Sequence, residues 1–481
     1  MRRRRHCSAR GDQGAGTLEY LGIVAVAALL VVAVVVGVRA AGPSQWVAAA
    51  VCDIRSAFSQ AGDCGGDDAP TTYGGQDEDG LTAAAPREGG NGSSSDGAEQ
   101  EDSTSPEYAN ASDERGEADP ERVAGALEDL RDALEGGFFG VRTGDLEDAR
   151  EAVEGLNGPE LDALIASMDD EELEHWVGQM DDGWLQGGWS REERRELWEL
   201  LATRASKETL DRLSQFTDEL QPSFDEVGGD EARDKPDSPR NVGEYGEVPH
   251  DLFVEGPSPE DIQQGSIGDC WWMASLGAIA QADPGIIEDA ITVNANGTYT
   301  VRLYDDGRPV DITVTPEMVL VDGAPALARS PQYLLADDTT LGYELWPMVM
   351  EKALALHYGD YEKIEGGWPA DGMAALTGRE STSHDTDDVS IQELASTLSD
   401  GGAVGVASLT KEDAKKSAYY QGDAGADVLY ANHAYYLQSV DVDGGTVTLV
   451  NPWGIARNPP ITMPYADYLE QFRQVDVNEV S

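Results

Sequence analysis

The segment Gln263-Gln264-Gly265-Ser266-Ile267-Gly268-Asp269-Cys270-Trp271-Trp272 is the most informative stretch of the chain. The apolar run that starts at Trp271 predicts a buried helix entered through a Gly-Asp turn. Cys270 then lies in the first turn, where the helix dipole and free backbone N–H groups favour a thiolate. Gln264, on the loop upstream, is placed to donate a side-chain N–H to a developing oxyanion. The segment predicts a nucleophilic thiol, although a lone cysteine is more often a small buried apolar residue.

Two later segments supply the partners that a catalytic thiol needs. One strand-like run opens at His433 and a second ends at Asn451, with a turn signal between them at 443–445, so the pair predicts an antiparallel hairpin. Both residues then fall near the same end of the hairpin. An asparagine there accepts a hydrogen bond from one imidazole nitrogen and leaves the other to take the thiol proton. Trp453 is placed to shield that hydrogen bond from water.

Together these segments resemble the protease core of the calpains, the papain-like cysteine endopeptidases of family C2. The family's signatures are Gln-Gly-x-x-Gly-Asp-Cys-Trp, a His-Ala-Tyr strand and Asn-Pro-Trp-Gly, and the block from Glu344 to Ala353 supports the match. The resemblance covers about Phe253 to Gly454 and implies an α+β, papain-like catalytic domain that hydrolyses peptide bonds of protein or peptide substrates. It implies the following roles: Cys270 as nucleophile, His433 as general base and acid, Asn451 as the residue that orients the histidine, Gln264 as oxyanion donor, and Gly367 and Trp453 as substrate-binding residues.

Calpain cores also carry calcium sites that align the two halves of the active site. The positions of the family's first site match Val254, Gly256, Asp261 and Glu344 in this chain. Main-chain oxygens and carboxylates in that mixture suit calcium, so the resemblance implies one calcium ion bound by these four residues. The alternative is that Asp261 and Glu344 are merely two solvated members of a set of 91 acidic residues.

Three features depart from the family pattern. The second calcium site of the family takes an acidic ligand from the loop after Asn-Pro-Trp-Gly, where this chain has Arg457, so that site is expected to be absent. The residue before the catalytic histidine is usually Gly and is Asn432 here, which is expected to narrow the cleft. Only a short segment follows Asn451 before Ser481, so no further regulatory domain is expected.

Three functions are compatible with these residues. The complete catalytic set favours a cysteine endopeptidase. A non-catalytic alternative is a pilin-like anchored surface protein that uses the calpain-like fold for binding. A third possibility keeps the acyl chemistry but transfers the acyl group to an amine instead of water.

The N-terminal part of the chain predicts a membrane anchor. The run Leu21–Val38 contains no charged residue and is long enough to span a bilayer. Six of the 33 basic residues precede residue 41, whereas all but two of the 91 acidic residues follow it. The positive-inside rule therefore predicts a single-pass protein of the cell membrane with its catalytic domain outside, and a cleaved secretory signal is the competing interpretation. The net charge of −58 excludes nucleic acid as an expected partner.

The residues around this run carry two further signals. The flank Gly14-Ala15-Gly16-Thr17-Leu18-Glu19-Tyr20 resembles the processing site of Flp-type pilins, because cleavage after Gly14 would place Glu19 at the fifth mature position. Beyond the span, Cys52 and Cys64 predict a small disulfide loop in an oxidising exterior. Cys270 is left unpaired, as a nucleophile must be.

Composition divides the remainder into a linker, a helical region and the catalytic region. Residues 65–119 are rich in Gly, Ser, Asp and Glu and predict a disordered acidic linker. From residue 120 the apolar residues recur at helical spacing, which predicts a small all-α bundle of five or six helices that is inhibitory, docking or a spacer. The predicted segments are 1–20 (basic cytoplasmic N-terminus), 21–41 (transmembrane helix), 42–64 (juxtamembrane segment), 65–119 (acidic linker), 120–221 (helical domain), 222–250 (linker) and 251–481 (catalytic domain).

Overall fold

The computed structural model describes residues 116–134, 143–181, 191–224, 243–336, 339–420 and 429–480. The apolar run Leu21–Val38, the pilin-like flank and the Cys52–Cys64 pair lie outside these residues. Within the described ranges, no helix has the length and apolar character needed to cross a membrane. The described chain mixes helices and sheets, in agreement with the predicted α+β class.

The described residues before 224 form the predicted helical bundle. Leu130, Trp176 and Trp198 are at most 2% exposed and pack in its core. Trp184 and Trp189, in the same region of the sequence, lie outside the described residues. The helices described here are α1 (Pro120–Leu134), α2 (Thr143–Glu154), α3 (Gly158–Ala166), α4 (Asp170–Asp181), α5 (Arg191–Arg204) and α6 (Lys207–Leu213).

The first half of the C-terminal region, residues 243–378, carries Cys270 and is called the nucleophile half. Its central helix starts at Cys270, and every residue from Trp271 to Ala280 is buried, because protein surrounds the helix on all sides. A hairpin that turns around residue 306 pairs two antiparallel strands. The elements of this half are β1 (Glu244–Gly246), β2 (His250–Asp251), α7 (Cys270–Ala282), α8 (Gly285–Ala290), β3 (Ile291–Val293), β4 (Tyr299–Asp305), β5 (Arg308–Val314), β6 (Met318–Val321), β7 (Ala324–Pro325), β8 (Gln332–Leu334), β9 (Leu341–Glu344), α9 (Trp346–Tyr358) and α10 (Pro369–Thr377).

The second half, residues 379–480, carries His433 and is called the histidine half. Six antiparallel strands form its sheet in the order β10-β15-β11-β12-β13-β14. The hairpin predicted from the two catalytic segments is β12 paired with β13. The elements of this half are β10 (Thr382–Asp385), α11 (Ile391–Ser399), β11 (Ala403–Ser408), α12 (Lys411–Ala414), β12 (Ala434–Asp441), β13 (Thr446–Val450), β14 (Ile461–Pro464), α13 (Tyr465–Gln471) and β15 (Phe472–Asn478).

The helical bundle docks on the nucleophile half through buried polar contacts. The Asn296 side chain, 4% exposed, donates to the carbonyl oxygens of Ala202 and Ala205 at 2.7 and 2.8 Å. These carbonyls lie at the end of α5, where a helix has acceptors without partners of its own. The Glu199 carboxylate accepts the main-chain N–H of Thr313 at 2.8 Å. The bundle is therefore held by specific hydrogen bonds.

The predicted linker 222–250 is partly structured. Glu244–Gly246 pairs with β6, so ordered structure of the nucleophile half begins before residue 251. At the other end of the predicted linker, the carbonyl of Ser223 accepts the N–H of Tyr361 at 3.1 Å. Short strands of this kind are stabilised by residues far away in the sequence. Local composition does not show these partners, so it predicts a linker here.

Candidate active site

Cys270 is the first residue of α7 and has a free, half-buried thiol. Burial raises the pKa of this thiol to about 12; a hydrogen bond from the Ala434 amide opposes that rise, and the Asp269 carboxyl adds to it. The thiol is therefore neutral at neutral pH in this geometry. From the sequence, the N-terminus of this helix is expected to lower the pKa of the thiol. In the structure, the loss of hydration on burial raises that pKa by more.

His433 lies directly before β12, and its ring is hydrogen-bonded to Asn451. Nε2 lies 2.9 Å from Asn451 Oδ1. Because that oxygen can only accept, Nε2 carries the hydrogen and Nδ1 is left with its lone pair. The N–H of Trp453 donates to the same oxygen at 3.1 Å, which fixes the orientation of the amide. Burial lowers the pKa of His433 to about 4, against the opposing effect of the Asn451 hydrogen bond.

The thiol and the imidazole lie at one site without a direct hydrogen bond. Cys270 accepts from the amide of Ala434, the residue that follows His433. Within the described residues, no hydrogen bond joins the Cys270 thiol to the His433 ring. Both groups are neutral because each would lose hydration in its charged form. The structure thus brings Cys270, His433 and Asn451 together in an uncharged arrangement.

Three aromatic side chains surround the histidine ring. The centroids of Tyr435 and Trp453 lie 5.0 and 4.8 Å from that of His433, and Tyr430 lies 6.1 Å away. Tyr430 and Trp453 also contact each other at 4.2 Å. These rings pack beside the His433–Asn451 hydrogen bond, whose two residues are 7% and 2% exposed. Sequence reasoning missed Tyr430 and Tyr435 as site residues, although the His-Ala-Tyr pattern contains the second.

The strand beside His433 holds its backbone in place. The Ser408 hydroxyl accepts the N–H of His433 at 3.0 Å and donates to the carbonyl of Tyr430 at 2.7 Å. Asn432, the departure from the family's glycine, has a φ of 53° and an exposed side chain. Asparagine adopts this left-handed conformation more readily than other residues with a Cβ atom. The backbone turn before the histidine is therefore kept without glycine.

Gln264 lies beside the segments that carry Cys270 and Asn451, and it donates hydrogen bonds to backbone carbonyls. Its main-chain N–H donates to the carbonyl of Pro452 at 2.8 Å, and its side-chain Nε2 donates to the carbonyl of Ile267 at 2.8 Å. The side chain is buried. Gly265 has to be glycine, because a Cβ atom there would lie 2.0 Å from the carbonyl oxygen of Leu327. The loop is thus fixed immediately before the nucleophile helix.

Gly367 lies against the first aromatic ring of the nucleophile helix. A Cβ atom at this position would lie 2.6 Å from the Trp271 ring, so no side chain fits. The adjacent Gly366 N–H donates to the carbonyl of Gly268 at 2.9 Å, and Trp271 Nε1 donates to the carbonyl of Ile364 at 2.8 Å. The exposed backbone at Gly367 therefore borders the loop that enters α7, where the sequence predicts a substrate-binding residue.

Of the four residues matched to a calcium site, the two that carry carboxyls are buried, and the other two are partly buried. Asp261 and Glu344 are 3% and 1% exposed and their carboxyls interact with each other, so the solvated alternative is wrong for them. Val254 donates its N–H to Glu344, whose second oxygen is buried without a partner. Gly256 follows in the same loop with a φ of 86°. Burial, followed by the Asp261 carboxyl, raises the pKa of Glu344 to about 9.

Two further observations bear on metal binding. Within the described residues, no three or more His, Cys, Asp or Glu side chains converge in a way that could hold an ion. A calcium ion at Asp261 and Glu344 would therefore depend on main-chain oxygens for the rest of its ligands, as such sites commonly do. Arg457 is exposed, and its positive charge lowers the pKa of nearby Arg329, after the larger effect of burial.

Comparison with known proteins gives one family. The model of the calpain family cysteine proteases matches residues 239–479. Calpain-5 of Caenorhabditis elegans is 28% identical over 235 residues, which cover 44% of this chain and 33% of that protein. A calpain-type cysteine protease of Arabidopsis thaliana is 29% identical over 217 residues, or 42% of this chain and 9% of its own length. The catalytic subunit of Calpain-1 from Sus scrofa is 28% identical over 183 residues, or 34% of this chain and 23% of that subunit.

This chain thus spans a third or less of these three relatives. The matched region begins shortly before β1 and contains Gln264, Cys270, His433 and Asn451. It occupies just over half of the 481 residues and excludes the helical bundle. The chain belongs to the calpain family of cysteine proteases.

Proposed function

We propose that this protein is a cysteine endopeptidase in which Cys270, His433 and Asn451 form the catalytic triad. The observation that carries the proposal is the 2.9 Å hydrogen bond between His433 Nε2 and Asn451 Oδ1 beside the start of the nucleophile helix. That bond leaves Nδ1 as the only basic nitrogen of the ring. Substrates are proteins or peptides whose backbone lies along Gly367 and Trp453.

The reaction follows from these positions. His433 Nδ1 takes the thiol proton as Cys270 Sγ attacks the scissile carbonyl carbon, so that the carbonyl π pair moves onto oxygen. The Cys270 amide and the Gln264 side chain stabilise that oxyanion. Its collapse breaks the C–N bond, and His433 gives its proton to the leaving amine. Water then hydrolyses the thioester with the same histidine as base.

Because the Cys270 thiol and the His433 ring are both neutral, this mechanism requires a proton transfer that creates two charges. A thiol pKa of about 12 and an imidazole pKa of about 4 oppose proton transfer between separated groups. Direct contact between Sγ and Nδ1 lowers that cost, because each new charge stabilises the other. The active form therefore needs the nucleophile half and the histidine half to approach each other by a small movement.

We also propose that one calcium ion binds at Asp261 and Glu344, with main-chain oxygens of Val254 and Gly256. Two buried carboxyls that face each other, one with an unpartnered oxygen, are chemically suited to a divalent cation. When bound, the ion would supply positive charge that replaces the proton between these carboxyls. It would connect the loop before Gln264 to the start of α9. At the position expected for a second acidic ligand the chain has Arg457, so we propose a single site.

The remaining proposals concern location. The run Leu21–Val38 and the arginines before it support a single-pass membrane protein whose catalytic domain faces outward. The flank at Gly14 supports cleavage of the kind found in Flp-type pilins. A protease added to intact cells should then remove the catalytic domain, whereas protection until lysis would place that domain inside the cell.

The catalytic proposal is tested with the purified full chain and a casein substrate. Cys270→Ala should abolish cleavage, while the control Cys7→Ala should keep wild-type activity and both variants should keep the wild-type unfolding midpoint. Cleavage by Cys270→Ala near the wild-type rate would refute the cysteine mechanism. An inactive wild type that still binds casein would favour the non-catalytic surface protein. Mass spectrometry with an added primary amine separates hydrolysis from acyl transfer, since only transfer gives the amide.

A further inference from the structure

A buried carboxyl lies immediately behind the nucleophile. Asp269 is 0% exposed and starts α7 with its main-chain carbonyl, which accepts the N–H groups of Trp272 and Met273 at 2.8 and 3.1 Å. Its side chain makes no cap hydrogen bond. Neither carboxyl oxygen has a well-aligned donor among the described residues. A fully buried carboxyl in this position requires another source of stabilisation.

The carboxyl of Glu351 on α9 provides it. Glu351 is 1% exposed, and both of its oxygens accept the N–H of Ala328, at 3.0 and 2.9 Å. The Asp269 and Glu351 carboxyls are in hydrogen-bonding contact. Two carboxylates can only accept, so this contact requires a proton on one of them. Burial accordingly raises the pKa of Asp269 to about 7 and that of Glu351 well above its usual value.

The pair adjoins both groups that face the oxyanion in the proposed mechanism. Asp269 directly precedes Cys270, whose amide is one donor. The side chain of Gln264, the other donor, also contacts the Asp269 carboxyl, and Gln264 Oε1 is buried without a partner. Movement of the Asp269 carboxyl would therefore displace the side chain and the backbone on which the oxyanion site depends.

We propose that Glu351 is a positioning residue that holds Asp269 through a shared proton, and thereby orients the Gln264 side chain and the Cys270 amide. Glu351 itself does not touch the substrate. The inference rests on the proposed catalytic function, because it assigns a task within that site. This role would connect α9 to the segment of Cys270, and no single sequence motif shows that connection.

The shared proton makes the arrangement sensitive to alkaline pH. The titratable groups around the pair are Glu365, the Cys270 thiol, and the phenols of Tyr361 and Tyr245. Loss of the shared proton places two negative charges in one buried space, and Glu365 adds to the repulsion. The folded chain thus binds a proton that the unfolded chain releases near pH 4, so the stability contributed by the pair falls as pH rises from there towards and beyond 7.

Two substitutions separate the shared proton from simple packing. In Glu351→Gln, the amide N–H₂ donates to the Asp269 carboxylate and the amide oxygen still accepts from Ala328, so the link survives without a shared proton. We expect kcat within about 5-fold of wild type and no loss of kcat at alkaline pH. Glu351→Leu fills the space but removes the link, and kcat should fall about 100-fold with KM little changed, as when one oxyanion donor is lost. Glu380→Gln, at an exposed position away from the pair, is the control and should keep the alkaline loss.

Measurements that need no peptidase activity keep this test independent of the proposed function. The pH dependence of Cys270 alkylation by iodoacetamide should differ between wild type and Glu351→Leu, and the unfolding midpoint of Glu351→Gln should vary less with pH than that of wild type. Equal kcat and equal pH profiles in all four proteins would overturn the role of Glu351. If wild type lacks peptidase activity, the catalytic proposal fails, and identical alkylation and unfolding profiles would then overturn the positioning role separately.

Discussion

The main-chain N–H of Gln264 donates a 2.8 Å hydrogen bond to the carbonyl of Pro452, the residue after Asn451. This bond joins the loop of the oxyanion donor to the strand end that orients His433. Close packing reinforces it, because a Cβ atom on Gly454 would lie 2.7 Å from the Gln263 side chain. Gln264, the proposed oxyanion donor, is therefore attached to the histidine half as well as to the nucleophile half.

His433 and Asn451 should differ in their effect on catalysis. His433→Ala removes the base and the leaving-group acid, so we expect kcat/KM to fall by about 1000-fold or more. Asn451→Ala removes only the orienting hydrogen bond and should cost about 10- to 100-fold. The exposed His384→Ala serves as the control. A larger loss for the asparagine variant than for the histidine variant would contradict these roles.

Burial of neutral His433 should make the protein less stable in acid. Since burial lowers its pKa to about 4, the unfolded chain takes up a proton near pH 6.5 while the folded chain does not. The free energy of unfolding contributed by this site should fall as pH decreases from about 6.5 to 4. His433→Gln, measured by urea unfolding across that range, should show a shallower loss. Parallel profiles for wild type and variant would mean that His433 is protonated in the fold.

Calcium should increase activity through Asp261 without changing the thiol itself. Asp261→Asn removes a ligand charge and should weaken calcium activation about 10-fold or more, while iodoacetamide should alkylate Cys270 at the wild-type rate in the absence of calcium. The nearby exposed Glu260→Gln is the matched control. Titration calorimetry measures the binding, and thermal unfolding should show a calcium-dependent rise in midpoint. Full activity in chelator with no heat of binding would refute the site.

The left-handed backbone at Asn432 should restrict substitution there. Asn432→Gly should leave stability nearly unchanged, because glycine reaches a φ of 53° without steric cost. Asn432→Val should cost about 1–2 kcal/mol of unfolding free energy and lower activity, because the next residue is His433. Denaturant unfolding compares the two variants. Equal stability would show that the turn before the histidine relaxes.

Asn296 should attach the helical bundle to the nucleophile half. Asn296→Ala leaves the Ala205 carbonyl without its side-chain donor and removes one of two from Ala202, which should cost about 1–3 kcal/mol and speed proteolysis between bundle and core. Gln392→Ala, on the exposed face of α11, is the control. An increase in activity on release would support an inhibitory bundle, whereas loss of activity with loss of stability would support a structural role.

The sequence predicts the fold best where the chemistry is local. The helix at Cys270 and the β12–β13 hairpin follow from short patterns of apolar residues and turn signals, and the structure contains both. Sequence patterns do not predict the neutral state of the thiol, because burial by distant segments determines it. The Asp269–Glu351 pair escapes detection for the same reason: both residues lie in segments that resemble the family's, but no local pattern shows that they meet.

The position of the bundle also has a mechanical consequence. Asn296 and Thr313, which donate hydrogen bonds to it, both belong to the nucleophile half. A force that pulls the bundle away would therefore break hydrogen bonds on the half that carries Cys270, and the described contacts put none of this load on the sheet that carries His433.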